Sequence, residues 1–119
     1  MNAIVGTPGT INLETKQLHQ SLIAQHQALS NRLSTVTSVD DADAILREMQ
    51  EINFRVMISG SLLFKQTTTQ IDKDLRSVMA ASAALETAIA QADKIKDIIK
   101  VTSKFLGLVD KVLDRIKLL

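Results

Sequence analysis

Two histidines, His19 and His26, carry the most versatile chemistry in this sequence, because imidazole ligates metals, shuttles protons and titrates near neutral pH. They stand seven residues apart, on one side of a helix, whereas zinc ligands on a helix stand three or four apart so that both rings reach one ion. One helix therefore does not chelate with this pair. Both fall at the border of an apolar stripe, which assigns them to the edge of a packed seam and leaves His26 a candidate pH-responsive group. The acidic pairs Asp40–Asp41 and Asp72–Asp74 fall near expected helix starts or on exposed turns, with no sign of the enclosing pocket that drives an acid and a base apart in pKa. No serine stands in a strand–turn–helix elbow, and there is no glycine-rich phosphate loop. The expectation is a protein with no catalytic residue, no metal site and no cofactor.

The composition narrows the function classes further. Phe54, Phe64 and Phe105 are the only aromatics, so stacking platforms for single strands or RNA have almost nothing to work with. The net charge of +1 is too even for a general polyanion binder, and no nucleic-acid partner is expected. The absence of cysteine removes disulfides, thiolate zinc sites and cysteine nucleophiles together. No run of about 18 apolar residues spans a bilayer, and MNAIVGTPGTIN has neither the basic region nor the apolar core of a secretory signal. The expected location is the cytoplasm, or outside the cell by export without a cleaved signal.

Hydrophobic residues make up 45% of the 119 residues and charged ones 23%, a composition that folds. Gly6, Pro8 and Gly9 punctuate residues 1–11 and predict a loose leader, followed by one all-helical domain over residues 12–119. Beyond Gly9 there is no proline, and Gly60 and Gly107 are the only glycines, which argues for long helices. Leu18, Leu22, Leu29, Leu33 and Val36 place a first helix over about Asn12 to Val36. Ser38 followed by Asp41 predicts the N-cap of a second. That helix carries Ile45, Met49, Ile52, Val56 and Leu63 on one line, and the alternating charges Asp43, Arg47, Glu51 and Arg55 on the other.

From Ile52 to Phe64 the pattern changes, because Phe54, Ile58 and Leu62 add a second apolar line on the side the charges had kept wet. The spacing predicts that the helix continues through Gly60, whose missing side chain lets a neighbouring backbone approach closely, and through the weak run Gln66–Gln70 without a firm break. Ile71, Leu75, Val78, Leu85 and Ile89 continue the apolar face among seven alanines between Ala80 and Ala92. In the last segment Ile95, Ile98, Thr102, Phe105, Val109, Val112, Ile116 and Leu119 alternate steps of three and four, a heptad seam widened by Ile99, Leu106 and Leu113. From Asp93 onward the chain holds a local excess of three positive charges.

The fold class is accordingly all-α: an elongated helical hairpin or bundle of three to four long helices with coiled-coil-like packing. Two architectures fit, a rod with a central helix of about 50 residues, some 75 Å long, and a compact four-helix bundle turned at Gly60. A rod cannot cover all its apolar lines, so the sequence predicts a homo-oligomer, dimer or higher, and a protein partner. The residues assigned to these contacts are Phe54, Ile58, Leu62, Phe64, Phe105, Val109, Val112 and Ile116. The expected function is a non-catalytic structural or adaptor protein. The alternative is a membrane-active protein, pore-forming or part of a translocation system, that exposes residues 52–64 or the basic amphipathic C-terminal helix at a bilayer. A leader, a helix, a short turn and a second long helix without cysteine resemble the layout of small secretion-system subunits that polymerise through helical hairpins. The proline-bearing turn of needle subunits is absent at Thr37 to Asp41, and the apolar segment after Asp93 has no counterpart in that layout.

Overall fold

Polar side chains set three of the helix starts by accepting an amide that the first turn leaves free. Asn12 Oδ1 accepts from the Thr15 N–H, Ser38 Oγ from Asp41 and Thr68 Oγ1 from Ile71. In a computed structural model that describes residues 3–5 and 9–119, these caps open α1 (Leu13–Leu33), α2 (Val39–Ser61) and α3 (Thr69–Gln91), and α4 (Ile95–Lys117) follows after a short turn. Ser34 and Thr35 close α1 by donating their hydroxyls to the Asn31 and Arg32 carbonyls, so the break before Ser38 has a local cause. Gly6 and Pro8, on which the expectation of a loose leader rested, lie outside the described residues. β1 (Ile4–Val5) pairs antiparallel with β2 (Thr67–Thr68), with Ile4 opposite Thr68.

The four helices form a bundle measuring 49 × 22 × 18 Å. α1 packs on α2 and α3, and α4 packs on α3 and α2. Ser21 meets Ser82 and Arg32 reaches Ile89, so α1 and α3 run side by side in the same direction. Arg55 meets Asp110 in α4, and the neighbouring α2 and α4 are parallel in the same way. The chain therefore makes two antiparallel hairpins, α1–α2 and α3–α4, and the connection 62–68 crosses the diagonal of one end of the bundle.

That crossing corrects the rod. No central helix of about 50 residues exists, because α2 ends at Ser61 and α3 begins at Thr69. The run Leu63, Thr67, Ile71, Leu75 keeps helical spacing, yet Thr67 and Thr68 are drawn out of the helix by pairing with β1 and by capping α3. Gly60 is not the turn either: it lies within α2, and among the described residues the only positive φ belongs to Gly9, at 79°. A Cβ at Gly60 would meet His19 Cε1 at 3.2 Å, so its bareness admits an imidazole, where a close backbone was expected.

The core is built from the predicted stripes. Leu18, Leu22 and Leu29 of α1, Ile45 and Ile52 of α2, and Ile71, Leu75, Val78, Leu85 and Ile89 of α3 are all buried. On α4 every member of the heptad seam from Ile95 to Ile116 is buried, while Leu119 is half exposed.

Candidate functional site

The eight residues assigned to protein contacts divide into two groups. Leu62, Phe105, Val109, Val112 and Ile116 are buried in the chain's own core, so they present no surface to another molecule. The physical reason is the fourfold arrangement, in which α4 turns its seam onto α2 and α3. Phe54 and Phe64 remain 58% and 57% exposed, and Ile58 is half buried at the edge of the core. The structure does not bring the eight together. It places Phe54 on the side of α2 turned away from the core, and Phe64 in the connection 62–68 past the end of that helix.

Three residues the sequence reading had not assigned complete that face. Leu46, Met57 and Ile23 are exposed, Met57 by 67%. Leu46, Asn53 and Met57 follow one another at steps of seven and four, a line about a third of a turn away from the core line of α2, and Phe64 comes three residues after the helix ends. Gln50, Asn53 and Ser61 fill the same strip and are exposed. The antiparallel register fixed by His19 and Ser59 puts Ile23 level with residues 55–57, on the far bank of the groove between α1 and α2. The signal was present in the sequence as a second line on α2, hidden because Asn53 on it and Gln50 beside it are polar.

His19 lies in that groove. Ser59 Oγ donates to the Val56 carbonyl at 3.0 Å, so its one hydrogen is used and it accepts from His19 Nδ1 at 2.9 Å. Ser59 is fully buried, which leaves its hydroxyl out of reach of a substrate. Among the described residues no three His, Cys, Asp or Glu side chains converge to hold a metal ion.

Two charged groups on the opposite flank of α2 complete the electrostatics. The Arg55 guanidinium grips both oxygens of Asp110 at 2.9 and 3.0 Å and also holds Glu51 at 2.6 Å. Its hydrogen bond to Asp110 raises its pKa further above the usual arginine value, although burial pulls the other way. The same guanidinium lies 5.9 Å from the centre of the Phe54 ring and so fixes the edge of the apolar face. Seven residues earlier and on the same side of the helix, Glu48 is only 9% exposed and makes no hydrogen bond. Burial, aided by the nearby Glu51, pushes its pKa up, with Arg47 and Arg55 opposing.

Hollows elsewhere are shallow. One of about 360 Å³ between α3 and α4 has Val78, Leu108 and Val112 for walls and the Asp74–Arg115 ion pair at its rim. Among the described residues no helix is long and apolar enough to cross a membrane. Compared with protein-family models, with curated proteins and with solved structures, the chain matches none.

Proposed function

We propose that this is a non-catalytic helical interaction protein that works by docking the outer face of its α1–α2 hairpin onto another helical surface. The observation that carries this reading is the set of exposed apolar side chains Leu46, Phe54 and Met57 on α2, with Ile23 beside them on α1 and Phe64 just past the end of α2, on a bundle whose apolar stripes are otherwise buried. Large aromatic and methionine side chains are what interface centres are rich in, and exposing them to water costs free energy that a partner recovers. The face is carried mainly by two adjacent helices, which suits a helix or hairpin lying along it.

A photo-crosslinking side chain at position 57, in protein made by its own host, is expected to form protein adducts that the same group at position 104, on the other side of the bundle, does not form. Equal adduct yields at the two positions would remove the reading. The membrane-active alternative keeps one supporting feature, the exposed lysines 96, 100, 104 and 111 along the outside of α4, none of them in an ion pair. Flotation of the purified protein with anionic vesicles would favour it. Recovery at the bottom of the gradient would leave the docking reading.

A further inference from the structure

We infer that the trough between α3 and α4 binds a single-chain anionic amphiphile, a free long-chain carboxylate, with its head on Lys111 and its tail laid over Leu108 toward Val101. The site lies on the other hairpin from the docking face and does not depend on it.

Three observations carry it. The first is shape. The hollow of about 360 Å³ at Val78, Leu108 and Val112 shares Leu108 with a second of about 220 Å³, bounded by Ala81, Ala84, Val101 and Phe105. The two follow one another along α4 and make one trough from Arg115 to Val101, about 21 Å long at about 1.5 Å per residue. Together they lie within the range of about 300–1,000 Å³ that small-molecule sites occupy. The α3 bank is low, because Ser77, Ala81 and Ala84 stand on it, while the α4 bank carries Lys104, Lys111 and Arg115.

The second is charge. Lys104 and Lys111 are exposed, and neither is in an ion pair. The carboxylates nearest to them in the fold are held by other groups. Asp74, the only acid among the described residues that line the trough, is paired with Arg115 and accepts from Gln70 Nε2 at 3.0 Å. Asp110 is held by Arg55 at 2.9 Å, and Asp114 lies 3.9 Å from Lys117. Two uncompensated cations thus stand over an apolar floor, which attracts an anionic head and repels a cationic one on the same tail. The lysine stems add apolar cover to the tail while their ammonium groups stay in water.

The third is the amount of apolar surface. Val78, Phe105 and Val112 are at most 3% exposed and form the floor. Only Leu108, which is 38% exposed, half-buried Val101 and the alanine methyls face outward. Such a strip is far below the roughly 800 Å² that a stable protein interface needs on each partner. It suits one alkyl chain lying down. A bilayer presents its heads and not its tails to a trough of this kind, so the ligand is a molecule free in solution.

Isothermal titration of the full chain with dodecanoate, kept below its micelle concentration, tests the inference. One dodecanoate per chain is expected, with a Kd of about 50 µM. Each methylene removed from the tail should weaken binding about twofold, about half the effect of full burial on the logarithmic scale, because the chain is covered on one side only. Dodecyltrimethylammonium should bind about tenfold more weakly than dodecanoate. Lys111→Glu should weaken dodecanoate about tenfold, whereas Lys16→Glu, on the other hairpin, should leave it unchanged. Ala84→Phe, which fills the trough without altering a charge, should weaken it as much with helicity intact. Amide NMR shifts caused by dodecanoate are expected at Ala81, Ala84, Val101 and Leu108. The absence of saturable binding up to about 1 mM overturns the inference. So do equal affinities for the two amphiphiles, shifts confined to the α1–α2 face, or flotation with anionic vesicles of a chain that ignores free dodecanoate.

Discussion

Glu48 occupies a position that the spacing of Ile45 and Ile52 reserves for the core, yet it carries a carboxyl without a hydrogen-bond partner. Burial disfavours its charged form, so its pKa in the folded protein lies above the value in the unfolded chain. The folded state then binds the proton more tightly. The contribution of Glu48 to stability is greatest below the ordinary carboxylate range and falls as pH rises from there through the raised value. Glu48→Gln should flatten that part of the pH–stability curve, and Glu48→Leu should raise stability at pH 7 by roughly 1 kcal/mol. Chemical denaturation of both variants at pH 4 and pH 7 checks this. An unchanged pH slope in Glu48→Gln would assign the slope to other carboxylates. At Gly60 the outcome depends on a neighbour. Alanine in a helix is worth about 1 kcal/mol over glycine, but a Cβ there presses on His19 at 3.2 Å. Gly60→Ala should therefore be near neutral in the natural chain and stabilising by about 1 kcal/mol in a His19→Ala background, a coupling that a double-mutant cycle measures directly.

At the scale of elements, the crossover between α2 and α3 is where sequence and structure part. Asn12 does three things at once: its Oδ1 caps α1, its N–H donates to the Leu63 carbonyl at 2.7 Å, and its Nδ2 donates to Thr67 Oγ1 at 3.0 Å. Thr67 passes its own hydrogen to Asp72 Oδ1 at 2.6 Å. Asp is as good an N-cap as Asn, so a purely local role would make Asn12→Asp harmless. Because Thr67 has already spent its hydrogen, a carboxylate at position 12 would face a lone pair with no donor between. Asn12→Asp should cost about 2 kcal/mol, close to the cost of Asn12→Ala, as thermal or urea unfolding would show. Such chains of side-chain partners are distant in sequence and leave no periodic mark. That is why the apolar stripes of all four helices and the Ser38 cap were legible, since periodicity and capping are local, while the break at 62–68 was not. Helical spacing ran straight through it, and contacts distant in sequence interrupt it, the pairing of Thr67 and Thr68 with Ile4 and Val5 and the hydrogen bonds from Asn12 to Leu63 and Thr67. The candidate face was half legible for the same reason. Phe54 and Phe64 stood out as residues too many for one stripe, but which apolar line would find a home inside depended on how the hairpins met. The seam of α4 was read correctly as a seam and wrongly as surface for a partner.

The whole molecule is two hairpins joined along parallel helix pairs, and one of those joints is polar. Ser21, Gln25 and Ser82 are buried between α1 and α3, where Gln25 Nε2 donates to both Ser82 O and Ser82 Oγ while its Oε1 has no partner. At the far end Arg32 donates to the Ile89, Ala90 and Ala92 carbonyls and so closes the C-terminus of α3 from outside. Small hydroxyls and one amide in an otherwise apolar joint contribute little net stability, because the orphaned oxygen offsets much of what the other bonds contribute. They do define how far one hairpin can slide along the other, since a shift of one turn would leave all three unpaired. Replacing Ser21 and Ser82 by alanine and Gln25 by leucine should therefore leave the unfolding free energy within about 1 kcal/mol of the natural value while loosening the docking of the hairpins. Amide NMR spectra of the triple variant are expected to show doubled or broadened signals along α1 and α3 with helicity intact. Arg32→Ala, which uncovers three carbonyls, should instead lower stability by about 1–2 kcal/mol and keep a single set of signals. A triple variant with one sharp set of signals would mean that the apolar residues on either side fix the register unaided, and that the polar layer serves only to fill space too narrow for larger side chains.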